Sequence, residues 1–385
     1  MFTDDQNAIR DAVASLCTRF DDDYWLERDR SGEFPENFYR AFADGGWLGI
    51  AMPEEYGGSG LGITEASIMM QAVAESGAGF SGASAIHLNI FGLNPVVVFG
   101  TDEQKRRMLP PLIRGEEKAC FGVTEPDAGL DTTNLTTRAE RHGDGYIING
   151  RKMGTSTAQE ADKILLLART RPRDANKKRA EGLSLFYTDF NRDHIEARVI
   201  DKMGRKAVDS NAVFIDNLPV PAADLIGEEG KGFYYLLHGL NPERVMVAAE
   251  AVGLGRAALR KAVQYANERV VFDRPIGQNQ GIQHPLAKSW AELEAANLMA
   301  FRAAALYDSG EECGAEANAA KYLAGEAGFT ACERAIMTHG GMGYAKEFHV
   351  ERYLREVMIA RIAPVSRELI LSYIAEKVLG LPRSY

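Results

Sequence analysis

Strand-forming sequence is confined to a single stretch of this 385-residue chain, residues 119 to 224, and helical spacing of apolar residues holds on both sides of it. Inside the stretch, 120–124, 146–148, 163–168, 183–190 and 212–215 are short apolar or β-branched runs. Asn149-Gly150 reads as a tight-turn pair, and Pro219 and Pro221 mark the exit. The basic run from 171 to 181 has no periodicity and reads as a solvated loop between strands. The order is α, β, α: an α+β multidomain chain, with a helical domain over 1–118, a β domain over 119–224 and a second helical domain over 225–385.

Helix punctuation supports the flanks. Thr3 with Gln6 and Thr101 with Gln104 are capping-box patterns, and Ile9, Val13, Leu16 and Phe20 recur at helical spacing. Pro35 opens another helix, 56–60 is a turn-rich break, 64–78 is helical again, and Pro110-Pro111 is expected to interrupt the helix begun at Thr101. Beyond the β domain, long helices are expected around 242–271, 281–308, 315–338 and 365–379. Asn241-Pro242 reads as the start of the first of these, the amide as cap and proline in the first turn. Glu243 and Arg244 then fall where the helix dipole favours an ionised carboxylate, while Val245, Ala248, Ala249 and Val252 face inward.

Several function classes drop out. A net charge of -10 argues against a nucleic-acid surface. Acid follows Met1 where a signal peptide carries base, and no uncharged apolar run reaches membrane-spanning length, so no membrane insertion and a cytoplasmic location are expected. Cys17, Cys120, Cys313 and Cys332 lack paired spacing, which suggests neither a disulfide framework nor a metal site. The glycine pattern from Gly253 to Ala258 matches a loose dinucleotide fingerprint but falls inside a helical pattern, so it reads as close helix packing. Thr124 to Gly129 follows a strand and suits either a polar cofactor edge or a plain turn. His339 to Tyr344 either lets backbone approach a phosphate or breaks two helices.

Taken jointly, Pro53-Glu54-Glu55-Tyr56-Gly57-Gly58, Val123-Thr124-Glu125-Pro126 with Ala128-Gly129, Asn149-Gly150-Arg151-Lys152-Met153, Glu268-Arg269 with Phe272-Asp273-Arg274-Pro275, and Gly340-Gly341-Met342-Gly343-Tyr344 resemble the acyl-CoA dehydrogenase family nearly end to end. The resemblance implies a helical domain, a β-barrel and a C-terminal four-helix bundle that bind FAD without a Rossmann domain, assembled as a homotetramer, a dimer of dimers. It implies α,β-dehydrogenation of an acyl-CoA thioester to a trans-2-enoyl-CoA, as in fatty acid β-oxidation, with an electron-transfer flavoprotein as acceptor. By the same resemblance, Phe121, Val123, Thr124 and Ser156 line the flavin. Arg269, Phe272, Gln280, Gly340 and Gly341 hold the rest of FAD across the dimer interface, and Arg244, Asn241 and Gly129 lie at the substrate.

Three positions depart from the family pattern. Leu130 replaces a serine, Gly154 replaces a tryptophan over the flavin, and Pro364 stands where most members carry the catalytic glutamate. Proline has neither a carboxylate nor an N–H. Either the chemistry is lost, leaving an acyl-CoA-binding protein, or the base has moved. A branch that includes isovaleryl-CoA and long-chain dehydrogenases carries its glutamate in the register of Glu243, which is accordingly the expected catalytic residue. Glu368 reads as helix surface, and the smaller Gly154 leaves an oxidase-like relative open as the alternative.

Overall fold

The computed structural model describes residues 2–174 and 176–384. The described residues open with the helices α1 (Asp4–Cys17), α2 (Asp22–Ser31), α3 (Glu36–Asp44), α4 (Ile63–Val73), α5 (Gly79–Phe91), α6 (Asn94–Phe99) and α7 (Asp102–Ile113). Both capping boxes form: Thr3 and Thr101 accept from the amides of Gln6 and Gln104, whose side chains reach back to the cap amides. Pro110 and Pro111 do not interrupt α7; they occupy its last turns, where Leu109, Leu112 and Ile113 are buried and hold the helix together. Pro35 is the residue before α3 rather than its first.

Among the described residues eight strands follow: β1 (Ala119–Gly122), β2 (Arg138–His142), β3 (Gly145–Ser156), β4 (Lys163–Arg169), β5 (Leu183–Asp189), β6 (Ile195–Val199), β7 (Ser210–Pro221) and β8 (Leu225–Ile226). They form one sheet in the order β6-β7-β3-β2-β4-β5-β8, with β1 parallel to β4. Alternation along β4 explains its burial on both faces. Ile164, Leu166 and Ala168 enter a core that the sheet wraps, with Tyr146, Ile148, Phe186 and Val213. Leu165 and Leu167 face the helices and pack with Leu109 and Leu112. Asn149-Gly150 makes no turn: it lies inside β3 at a bulge against β7, and a Cβ on Gly150 would stand 2.3 Å from Thr137 Oγ1. Gly143, at φ +60°, lies in the short connection between β2 and β3. The basic run is a loop between β4 and β5, apart from Ala175, which lies outside the described residues.

The remainder is helical: α8 (Gly232–Glu268), a small hairpin of β9 (Val270–Val271) and β10 (Arg274–Pro275), α9 (Gln280–Asp308), α10 (Gly314–His339), α11 (Val350–Val357), α12 (Ile359–Ile362) and α13 (Arg367–Tyr373). Alanines of α8, α9 and α10 make up most of their shared core. The Gly253-to-Ala258 pattern does lie in the helix interior. A Cβ on Gly253 would meet the Gln71 carbonyl at 2.4 Å and one on Gly255 the Leu293 side chain at 2.6 Å.

Asn241-Pro242 is not a helix start. α8 begins nine residues earlier and runs through Pro242. An internal proline costs roughly 3 kcal/mol in a helix, so packing has to hold the preceding turns. Leu236 is buried beside Leu183 and Leu185, and a Cβ on Gly232 would stand 2.3 Å from the Leu185 amide nitrogen. Glu243 is therefore a mid-helix residue, with no first-turn dipole to ionise it.

Candidate active site

Heptad spacing puts Glu243 and Glu250 on one face of α8, with Val247 between them. On α5, Ser81, Ser84 and His87 form a polar stripe at spacings of three. The two helices pack together. His87 Nδ1 lies 2.6 Å from Glu250 Oε1. Burial alone would push the His87 pKa down; the Glu250 carboxylate reverses this and raises it above the usual histidine range. Glu243 is 8 % exposed and its Oε2 has no hydrogen-bond partner. Burial is the main influence on its carboxyl, pushing it up to about 7 against the opposing pull of His87, Arg244 and Lys321. One helical turn brings Asn241 and Arg244 together: Arg244 Nη1 donates to Asn241 Oδ1 at 3.0 Å, and its buried Nε has no partner.

The β domain supplies the other side. The Met153 amide donates to the Thr124 carbonyl at 2.8 Å, which brings the exit of β1 beside the end of β3. Behind this junction, buried Lys152 donates to Glu125, to the Val123 carbonyl and to the Leu167 carbonyl. The Thr124 side of the turn stays exposed, while Val123 packs into the core and Phe121 lies half-buried. At Gly129 and at Gly154, which has φ +74°, an added Cβ would meet no atom within 4 Å. Leu130 is exposed. Ser156 is tied to the helical side through Arg205, whose guanidinium donates to Ser156 Oγ at 3.0 Å and to Ser84 Oγ at 3.1 Å.

Arg269, Phe272, Gln280, Gly340 and Gly341 gather elsewhere, at one end of the C-terminal bundle. Tyr265 stacks on His339 with ring centroids 4.4 Å apart, which sets the ends of α8 and α10 side by side. The Ile276 amide folds back to the Arg269 carbonyl at 2.9 Å, bringing in the start of α9. All five residues are exposed, Phe272 at 93 %, and among the described residues no hydrogen bond or ion pair links them to Thr124 or Ser156. Arg269 has no ion pair among the described residues, and neither Gly340 nor Gly341 would place a Cβ near another atom.

Pro364 lies half-buried between α12 and α13, and Glu368 is exposed on α13 in contact with Arg367. Lys321 of α10 donates to the Val365 carbonyl at 2.7 Å, with burial lowering its pKa to about 8. Sequence reading missed Ser84, His87, Arg205, Glu250 and Lys321. Only the three-residue spacing on α5 and the heptad on α8 could have signalled any of them; Arg205 gave no local sign.

These parts suit a flavin nucleotide: hydroxyl and amide edges with open space beside two glycines for a flat ring, and an unpaired arginine with bare glycines for a diphosphate. Family models agree throughout: acyl-CoA dehydrogenase N-terminal domain over residues 3–116, middle domain over 120–218 and C-terminal domain over 230–379. The chain is 39 % identical over 392 residues to acyl-CoA dehydrogenase FadE12 of Mycobacterium tuberculosis, covering 100 % of this chain and 98 % of the relative. It is 34 % identical over 340 residues to the caffeyl-CoA reductase-Etf complex subunit CarC of Acetobacterium woodii, covering 87 % and 88 %. Butyryl-CoA dehydrogenase of Megasphaera elsdenii superposes with a TM-score of 0.93 at 28 % identity, covering 98 % of this chain and 99 % of that one. No described helix is long and apolar enough to cross a membrane, and no described cluster of side chains could hold a metal. With the three domain models spanning it in order, this chain belongs to the acyl-CoA dehydrogenase family, an oxidoreductase whose cofactor is FAD.

Proposed function

We propose that Glu243 is the general base of an FAD-dependent α,β-dehydrogenation of an acyl-CoA thioester in this chain. Bound FAD supplies the acceptor for the β hydride, so that a Cα–Cβ single bond becomes the trans double bond of a 2-enoyl-CoA. The carboxylate of Glu243 takes the α proton. The observation that carries this reading is the Glu243 carboxyl itself: buried, one oxygen without a partner, and held at about 7, where it can exist as a base and gain by taking a proton. Arg244 and Asn241, both half-buried and with an unused Arg244 Nε–H, bind the thioester end of the substrate together with the open surface at Gly129. Phe121, Val123, Thr124 and Ser156 face the flavin ring, and Arg269, Phe272, Gln280, Gly340 and Gly341 hold the nucleotide of a second copy. A homotetramer, as a dimer of dimers, is the assembly in which these two half-sites meet. Electrons leave to an electron-transfer flavoprotein, as the name of the CarC relative's complex suggests for that protein.

Glu243→Gln tests the base. It should keep FAD and acyl-CoA binding while anaerobic reduction of the flavin by an acyl-CoA slows by about a thousandfold, within the range for a positioned base. In the parent, the rate should rise with pH through about 7, because only the deprotonated carboxyl accepts the proton; that limb should be absent from the variant. Wild-type rates in Glu243→Gln would place the base elsewhere. Failure of every acyl-CoA to reduce the parent would instead favour the catalytically degenerate, acyl-CoA-binding reading. The open space at Gly154 favours one rival, an oxidase-like enzyme that admits oxygen to the reduced flavin. Reoxidation in air as fast as with an electron-transfer flavoprotein would establish it.

A further inference from the structure

One half-buried cation in this site has no carboxylate of its own. Arg205 lies in the connection between β6 and β7 at φ +56°, a left-handed conformation that disfavours any residue with a Cβ and that needs support from its surroundings. Its guanidinium donates to three hydroxyls, Ser84, Ser156 and Ser210, at 3.1, 3.0 and 3.3 Å. Burial pushes its pKa down. Among the described residues it makes no ion pair, and the carboxylates within electrostatic reach are each engaged elsewhere. Glu250 is bonded to His87. Glu356 accepts from the amide and hydroxyl of Ser81 at 3.0 and 2.8 Å and from Arg352 at 3.4 Å. Asp209 accepts from the Asn211 side chain and the Gln159 amide.

Position gives this charge a use. Ser84 and His87 share one face of α5, and His87 is within electrostatic reach of both Glu243 and Arg205. Ser156 ends β3 and is one of the residues proposed above to face the flavin. Arg205 therefore ties Ser156 to the α5 stripe that carries His87, within electrostatic reach of the proposed base. A serine that accepts from a guanidinium keeps its own O–H to donate, so Ser84 and Arg205 together offer donors there.

We propose that Arg205 with Ser84 forms an anion receptor at the acyl end of the site, and that the enzyme takes acyl-CoA thioesters whose acyl chain ends in a carboxylate. The reading rests on Glu243 marking the substrate site. Guanidinium and carboxylate match in geometry and charge, and a half-buried cation without a counter-ion gains from such a ligand. Arg205 is on this view a specificity-determining residue; proton abstraction belongs to Glu243.

The test uses the FAD-loaded enzyme and two non-oxidisable CoA thioethers of equal chain length, one ending in methyl and one in carboxylate, titrated by the change in flavin absorbance. Parent enzyme should bind the carboxylate form at least tenfold more tightly. Arg205→Met should collapse that ratio towards one, Arg205→Lys should restore part of it, and Ser84→Ala should lower it severalfold. With the matched oxidisable acyl-CoAs the discrimination should fall mainly in KM. Equal or weaker binding of the carboxylate form by the parent overturns the proposal, and this holds even if Arg205→Met does not fold. A variant that weakens both ligands equally also overturns it, by showing that Arg205 serves the flavin or the fold. Because binding is read without turnover, a parent that prefers the carboxylate thioether but reduces its flavin with neither substrate would refute the assignment of Glu243 while leaving the receptor in place.

Discussion

Two buried glutamates in this chain meet opposite fates. Glu125, 4 % exposed, accepts from the amides of Thr136 and Thr137, from the Thr136 hydroxyl and from the ammonium of Lys152. Burial alone would raise its pKa; the Lys152 charge and the threonine hydrogen bonds overcome that and pull it to about 2. Glu243, 8 % exposed, leaves an oxygen unpartnered and is pushed up to about 7. Similar burial with different partners yields a fixed structural anion in one place and a titratable base in the other. Satisfied lone pairs hold a carboxylate out of the chemistry; unsatisfied ones leave it ready for a proton.

The strongest way to break this contrast is to remove the satisfaction of Glu125. Lys152→Met leaves a buried carboxylate without its cation and strips donors from the Val123 and Leu167 carbonyls. The expected loss is about 3–5 kcal/mol, the range for breaking one partner of a buried pair. Denaturant unfolding of the holoenzyme checks it, and a variant as stable as the parent would show that Glu125 is held by its threonines alone.

Glu243 should behave in the opposite sense. Its folded pKa lies above the ordinary carboxyl value, so its favourable contribution is complete below about pH 4.5 and is lost as pH rises through about 7. Above that pH the fold carries a buried charge that the unfolded chain solvates. Glu243→Gln removes it, and should stabilise the protein by about 1–3 kcal/mol at pH 8, with the gain vanishing towards pH 5. Thermal midpoints across this range decide the matter; a variant less stable than the parent at pH 8 would mean that the carboxylate is compensated after all.

Legibility in the sequence followed the range of the forces involved. Thr3 and Thr101 were readable as caps because a capping box is complete within four residues. The helical, β, helical order was readable because strand and helix periodicities differ over short windows. Asn241-Pro242 misled because the start signal is local whereas the turns before it are held by Leu236 and Gly232 against β5. Asn149-Gly150 misled because a bulge inside β3 and a hairpin turn use the same residues. Glu243 was singled out through motif register and a mistaken helix start, which led to an ionised carboxylate in the empty site; its burial there and its pKa of about 7 without a ligand differ from that expectation. Arg205 was invisible, and the spacings that carry His87 and Glu250 marked no function by themselves, since only the packing of α5 against α8 and the connection between β6 and β7 turns ordinary helix and loop residues into one polar cluster.

The smallest effect lies in the tuning of Glu243. Lys321 is among the cations that lower its pKa, after His87 and Arg244, and its ammonium is already engaged by the Val365 carbonyl next to Pro364. Lys321→Met removes one of the weaker positive influences, so the Glu243 carboxyl should become slightly harder to ionise. The acidic limb of flavin reduction should move to higher pH by about half a unit, equivalent to under ~1 kcal/mol. The same substitution frees the turn around Pro364, and the two consequences separate in the profile: looser substrate positioning lowers the plateau at high pH, whereas lost electrostatic support shifts the midpoint. A lowered plateau with an unmoved midpoint would assign Lys321 to holding that turn, leaving burial, His87 and Arg244 to set the proton affinity of the base.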